Sequence, residues 1–119
     1  MSKFFGVLSL LTALLAANAA QAHAMLDRAE PRVGSTVAQA PRELILTFTQ
    51  SLEAEFSTVT VTGPNGARVD QGKAQVSGNT MRVGLKAAGP GTYRVHWRAL
   101  SVDTHSTQGN FTFRVGTGQ

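Results

Sequence analysis

Residues 92–98 read Thr92-Tyr93-Arg94-Val95-His96-Trp97-Arg98, and this stretch decides the fold. Tyr93, Val95 and Trp97 alternate with Arg94, His96 and Arg98. A period of two gives an extended segment one apolar and one charged face, the mark of a half-buried β-strand. The same alternation recurs on either side. Leu44, Leu46 and Phe48 share a face, as do Val59 and Val61, then Met81, Val83 and Leu85, then Phe111, Phe113 and Val115. Weaker versions lie at residues 25–29 and 68–76.

Turn chemistry separates these runs: Gly63-Pro64-Asn65-Gly66, Ser77-Gly78-Asn79-Thr80 and Gly89-Pro90-Gly91. About seven short strands in about a hundred residues predict an all-β domain. The expected architecture is a seven-stranded antiparallel Greek-key sandwich of the immunoglobulin-like kind, with a five-stranded barrel as the structural alternative. Residues 49–57 have room for one helical turn. His96 falls on the polar face of its strand and is given no role.

The chain has 119 residues, 11 Lys and Arg against 7 Asp and Glu, three histidines and no cysteine. Residues 1–22 have the parts of a secretory signal peptide. Lys3 supplies the positive start, residues 4–17 an uncharged apolar run, and Ala20-Gln21-Ala22 a small-x-small cleavage site. The run is too short to cross a bilayer of roughly 30 Å. Cleavage after Ala22 leaves residues 23–119, a single small exported domain beginning at His23. Without cysteine, that domain rests on its hydrophobic core, and thiolate zinc sites, iron–sulfur clusters and thiol catalysis are excluded. The arginines are spaced singly, as a solubilising surface would have them. Nucleic-acid binding would want a basic stripe interleaved with aromatics.

The chemistry-bearing residues are few. Asp103 and His105 stand two apart and face the same side if the strand through Trp97 runs on past them. Alone, Asp-x-His is a weak signal, because aspartate often caps a turn beside a solvated histidine. Cleavage before His23 strengthens it, since a terminal histidine offers its α-amine and its ring nitrogen to one ion. If the first strand packs near the loop before the last, these two donors meet the Asp103 carboxylate and the His105 imidazole. Three nitrogens and one oxygen suit tetragonal Cu(II), which also lies above Zn(II) in the Irving–Williams order. Met25 and Met81 are too few and too far apart for a thioether Cu(I) site.

The segments HAMLDRAEPRVGS (23–35), LILTF (44–48) and GTYRVHWRALSVDTHSTQGNFTFRV (91–115) together resemble the CopC family of periplasmic copper-binding, copper-resistance proteins. The resemblance implies a Greek-key barrel or sandwich, cupredoxin-like in outline, and no established enzymatic activity. It also implies one Cu(II) per chain, with ligands that carry over to His23, Asp103 and His105. Some members add a glutamate after the strand that holds LILTF; the matching position here is Gln50, a poor copper ligand. Members that also bind Cu(I) have a methionine-rich loop, whereas residues 61–68 hold no methionine. Cu(II) alone is therefore expected.

The leading functional reading is a monomeric periplasmic copper carrier, not an enzyme. It would sequester Cu(II) or pass it to a membrane copper transporter of the CopD type. One alternative is a histidine-brace copper monooxygenase, which also uses a mature N-terminal histidine. Another is a metal-free immunoglobulin-like interaction domain.

Overall fold

The computed structural model describes residues 24–117. The expected signal peptide and His23 lie outside them. The described residues form eight strands: β1 (Leu26–Glu30), β2 (Thr36–Val37), β3 (Glu43–Phe48), β4 (Thr58–Thr62), β5 (Asp70–Ser77), β6 (Thr80–Leu85), β7 (Gly91–Leu100) and β8 (Ser106–Val115). They form two four-stranded sheets, ordered β1-β3-β6-β5 and β2-β8-β7-β4. The expected helical turn is a short 3₁₀ turn at Ala54–Phe56.

The alternating residues build the core from both sheets. Leu44, Leu46, Phe48, Met81, Val83 and Leu85 of one sheet face Val59, Val61, Tyr93, Val95, Trp97, Phe113 and Val115 of the other, all buried. At roughly 25 cal/mol per Å² of apolar surface, each such side chain contributes about 1.5–3 kcal/mol, the main term holding a cysteine-free domain together. The aromatics pack in pairs. Tyr93 stacks on Phe113 with centroids 5.1 Å apart, and Phe48 meets Trp97 edge-on at the same separation. The buried Tyr93 hydroxyl donates to the Gly89 carbonyl at 2.9 Å and accepts from the Ala88 N–H at 3.1 Å. The turn before β7 is thereby tied to the core.

The sandwich is as expected, with one addition. β2 is an eighth strand of two residues that runs parallel to β8, pairing Thr36 with Arg114 and Val37 with Val115. Two residues carry too little alternation to show in a sequence. At the opposite edge of that sheet, Asp70 protects β4. Its Oδ1 accepts the outward Val61 N–H at 2.8 Å while Arg68 donates to both carboxylate oxygens, at 2.7 and 2.6 Å. This occupies an edge N–H that could otherwise pair with another chain.

Candidate metal centre

β7 ends at Leu100, so Asp103 and His105 do not face the same side by strand alternation. They belong to the five-residue connection 101–105 that turns β7 into β8. What brings them together is Ser101. The inward sequence Tyr93, Val95, Trp97, Ala99 continues to Ser101, which is fully buried. A buried hydroxyl must find partners, and here both lie in the loop. Ser101 Oγ donates to Asp103 Oδ1 and accepts the His105 N–H at 3.2 Å. The Ser101 N–H donates to the His105 carbonyl at 3.0 Å, closing the turn. Between the two candidates, Thr104 has φ 73°, a left-handed conformation unusual for a β-branched residue. Its N–H reaches the Ser101 carbonyl at 2.9 Å, and its hydroxyl donates to the Asp103 carbonyl at 2.6 Å.

The outcome is a side-chain pair. His105 Nδ1 stands 3.4 Å from Asp103 Oδ1, with the side chains 47% and 43% exposed. That is close to the roughly 3 Å between neighbouring donors that each lie about 2 Å from one ion, and the exposure leaves a path for the ion. The Ser101 hydroxyl, helped by His105, holds the Asp103 carboxyl below the usual carboxylate range, so the oxygen is anionic at neutral pH. Among the described residues, no three His, Cys, Asp or Glu side chains converge as a metal cluster. The pair is two parts of a site.

The beginning of the chain is docked at this same end. Ala24 is fully buried, and its carbonyl accepts the Thr107 hydroxyl at 2.7 Å, two residues past His105. Met25 is held on its other side by Thr49, donating to Oγ1 and accepting from the Thr49 N–H, both at 2.9 Å. Residues 49–53 complete the end. Val102 N–H donates to the Ser51 carbonyl at 3.1 Å, and Glu53 N–H to the Leu100 carbonyl at 2.8 Å. Gln50 is half-buried within this segment, in the turn after β3. Three stretches of chain therefore meet around the Asp103–His105 pair: its own loop, residues 49–53 and the entry at Ala24.

Sequence reasoning missed Ser101, Thr104 and Thr107. A signal existed for the first, a hydroxyl standing where the apolar alternation of β7 calls for an inward residue. Because Ser101 bonds both Asp103 and the His105 backbone, Ser101→Ala is expected to loosen the pair. For an ion held by the pair, affinity should fall by about 10–100-fold, the usual effect of losing a partner that orients a ligand. Competition with a chromophoric chelator measures it, with circular dichroism to verify the fold.

His96 is exposed on the outer face of β7, where its Nδ1 lies 2.8 Å from Asn110 Oδ1, remote from the loop. Met81 is wholly buried in the core and Met25 is 56% exposed.

Comparison with known proteins decides the family: the CopC domain model matches residues 26–116, nearly the whole described chain. The chain belongs to the CopC family. Copper resistance protein C of Escherichia coli is 37% identical over 108 residues, covering 81% of this chain and 83% of its own length. The crystal structure of CopC from Methylosinus trichosporium OB3b superposes with TM-score 0.73 at 26% identity, over 79% of this chain and 94% of that one. The copper transport protein CutJ of Bacillus subtilis is 32% identical over 99 residues, covering 80% of this chain but only 18% of CutJ. The CopC domain thus occurs alone and as a small part of a longer copper transport protein, and this chain is a member of a copper resistance family.

Proposed function

We propose that the protein is a periplasmic Cu(II) carrier, exported with cleavage before His23 and binding one ion per chain. The ligands are the His23 α-amine and imidazole, the Asp103 carboxylate and the His105 imidazole. The observation that carries the reading is the Asp103–His105 pair, held by buried Ser101 beside the docked Ala24. Ala24 directly follows His23 in the chain, so the proposed N-terminal donors are tethered one residue from a carbonyl fixed to Thr107. The donor set of nitrogens and one carboxylate oxygen fits Cu(II) better than a hard cation or a thiolate-seeking one. Gln50 is near by sequence and placement and supplies no anionic donor. The role is sequestration, or delivery to a membrane transporter of the CopD type. Delivery is supported by the presence of a similar domain within the copper transport protein CutJ.

Asp103→Ala and His105→Ala test the ligand set. Each is expected to lower Cu(II) affinity on the order of a hundredfold or more, because a lost ligand costs at least as much as a lost partner of a ligand. Both side chains are nearly half exposed, so the fold should survive. Copper titration followed by quenching of Trp97 measures the effect, and unchanged quenching curves refute the assignment. The pH dependence has a definite sign. Amine and imidazole groups ordinarily titrate at about 7.7–8 and 6.5, and both must shed a proton to bind metal. Asp103, held low by Ser101, stays ionised throughout that range. Affinity should therefore begin to fall as pH drops below about 8 and fall more steeply below about 6.5, with the nitrogen donors setting the loss.

A further inference from the structure

The arginines, single in the sequence, are not scattered in the fold. The sheet of β1, β3, β6 and β5 holds Asp27, Glu30 and Glu43 against Arg28, Lys73 and Arg82, with Arg82 paired to Glu43 at 3.2 Å, while Asp70 turns to the edge of β4 and is paired with Arg68. The other sheet has no acidic residue in any of its four strands and carries Arg94, Arg98 and Arg114. All three are exposed, on positions that alternate with the buried Tyr93, Val95, Trp97, Phe113 and Val115. One outer face of the sandwich is thus charge-balanced and the other is cationic without a counter-charge.

The geometry points to this second face as a docking surface for an anionic phospholipid bilayer. Arg94 and Arg98 are four residues apart on β7, about 13 Å. Arg114 stands two residues from Thr112, the partner of Arg94 on β8, which puts it on a diagonal of about 7–8 Å. Charges so spaced can each meet a different phosphate on an extended surface. Among the described residues Arg94 and Arg98 make no ion pair, and Arg114 spends one donor on the Thr92 hydroxyl at 2.8 Å. Around them stand neutral hydrogen-bonding side chains, with a groove of about 670 Å³ lined in part by Thr60, Thr62, Arg94, His96, Asn110 and Thr112. The aromatics of these strands all point inward, and the single exposed ring beside Arg98, Phe56, cannot stack a run of nucleic-acid bases. Each arginine near an anionic leaflet adds an attraction that falls off within a Debye length.

The orientation has a consequence for copper. Arg98 lies two residues from Leu100, where β7 gives way to the loop of Asp103 and His105. A molecule lying on this face carries the loop at the rim of its footprint, at the membrane surface. The docking face shares no residue with the proposed ligands and stands or falls without them.

Vesicle co-sedimentation of the mature, metal-free protein tests the proposal, using phosphatidylglycerol-containing and pure phosphatidylcholine vesicles at low ionic strength. Binding is expected only to the anionic vesicles and should disappear in high salt. Two double variants with the same change of net charge locate the surface: R94E/R98E on the cationic face and R28E/K73E on the opposite one. The first should lose binding about tenfold or more, and the second should stay within about threefold of the parent. Circular dichroism establishes that both fold. Equal losses in the two variants, or no binding to anionic vesicles, overturn the proposal. So does binding of soluble polyaspartate by Arg94 and Arg98 without vesicle binding, which would mark the face for an acidic protein instead.

Discussion

Protein bearing one additional residue ahead of His23 is expected to bind Cu(II) on the order of a hundredfold or more weakly than correctly trimmed protein. An added residue turns the His23 amine into a neutral amide, whose nitrogen must give up a far less acidic proton before it can bind metal. It also moves the new amine one residue further from Ala24. The rest of the molecule should not notice, because the described fold begins at Ala24, whose burial and bond to Thr107 are made by its own atoms. Melting temperatures without metal should therefore match, while chelator competition separates the two proteins. Equal affinities would show that the amine is not a ligand, even if Asp103 and His105 are.

The second large effect concerns stability and lies in the strand pair that carries the loop. Gly109 on β8 is paired with Trp97 on β7. A Cβ at position 109 would fall 2.6 Å from indole Cζ2 and 2.8 Å from Cε2. The indole is wedged, with Phe48 edge-on against it, and cannot swing aside without opening the core. Gly109→Ala should therefore cost about 1–3 kcal/mol, the usual range for overpacking a core. In a domain of about 100 residues this lowers the melting temperature by some 5–20 °C, and Trp97 fluorescence should shift with it. Gly84→Ala is the matched control. It too lies in a strand without positive φ, and its nearest neighbour would be at 3.6 Å, an ordinary contact. A Gly84→Ala loss as large as that at Gly109 would mean that β-strand glycines, not the indole, are responsible.

Much of the architecture was legible because it rests on local pattern. Every residue placed inward by period-two alternation, from Leu44 to Val115, is buried, since side-chain direction in a strand follows from position alone. The parallel strand β2 was not legible, because a two-residue pairing is set by the chain returning to β8 and leaves no periodicity behind. The site was half legible. Asp103 and His105 could be singled out by donor chemistry, but the expected reason for their meeting, a strand running through both, is wrong. The loop is held instead by a buried serine hydroxyl and by Thr104 in a left-handed conformation, and such non-alternating geometry has no short sequence signature. The docking of Ala24 on Thr107 spans 83 residues of chain and could only be supposed before the sheets were known. The same holds for the arginine face. Regular spacing of single arginines looks like a solubilising surface until strand register brings three of them to one side.

In the proposed function, export exposes His23 to complete a copper site with Asp103 and His105. Its most direct test is calorimetric titration of Cu(II) into periplasm-purified protein whose mass shows His23 as the first residue. Tight binding of one ion per chain is expected at neutral pH, with nitrogen hyperfine structure in the electron paramagnetic resonance spectrum of the product. A flat titration with that same sample would contradict it.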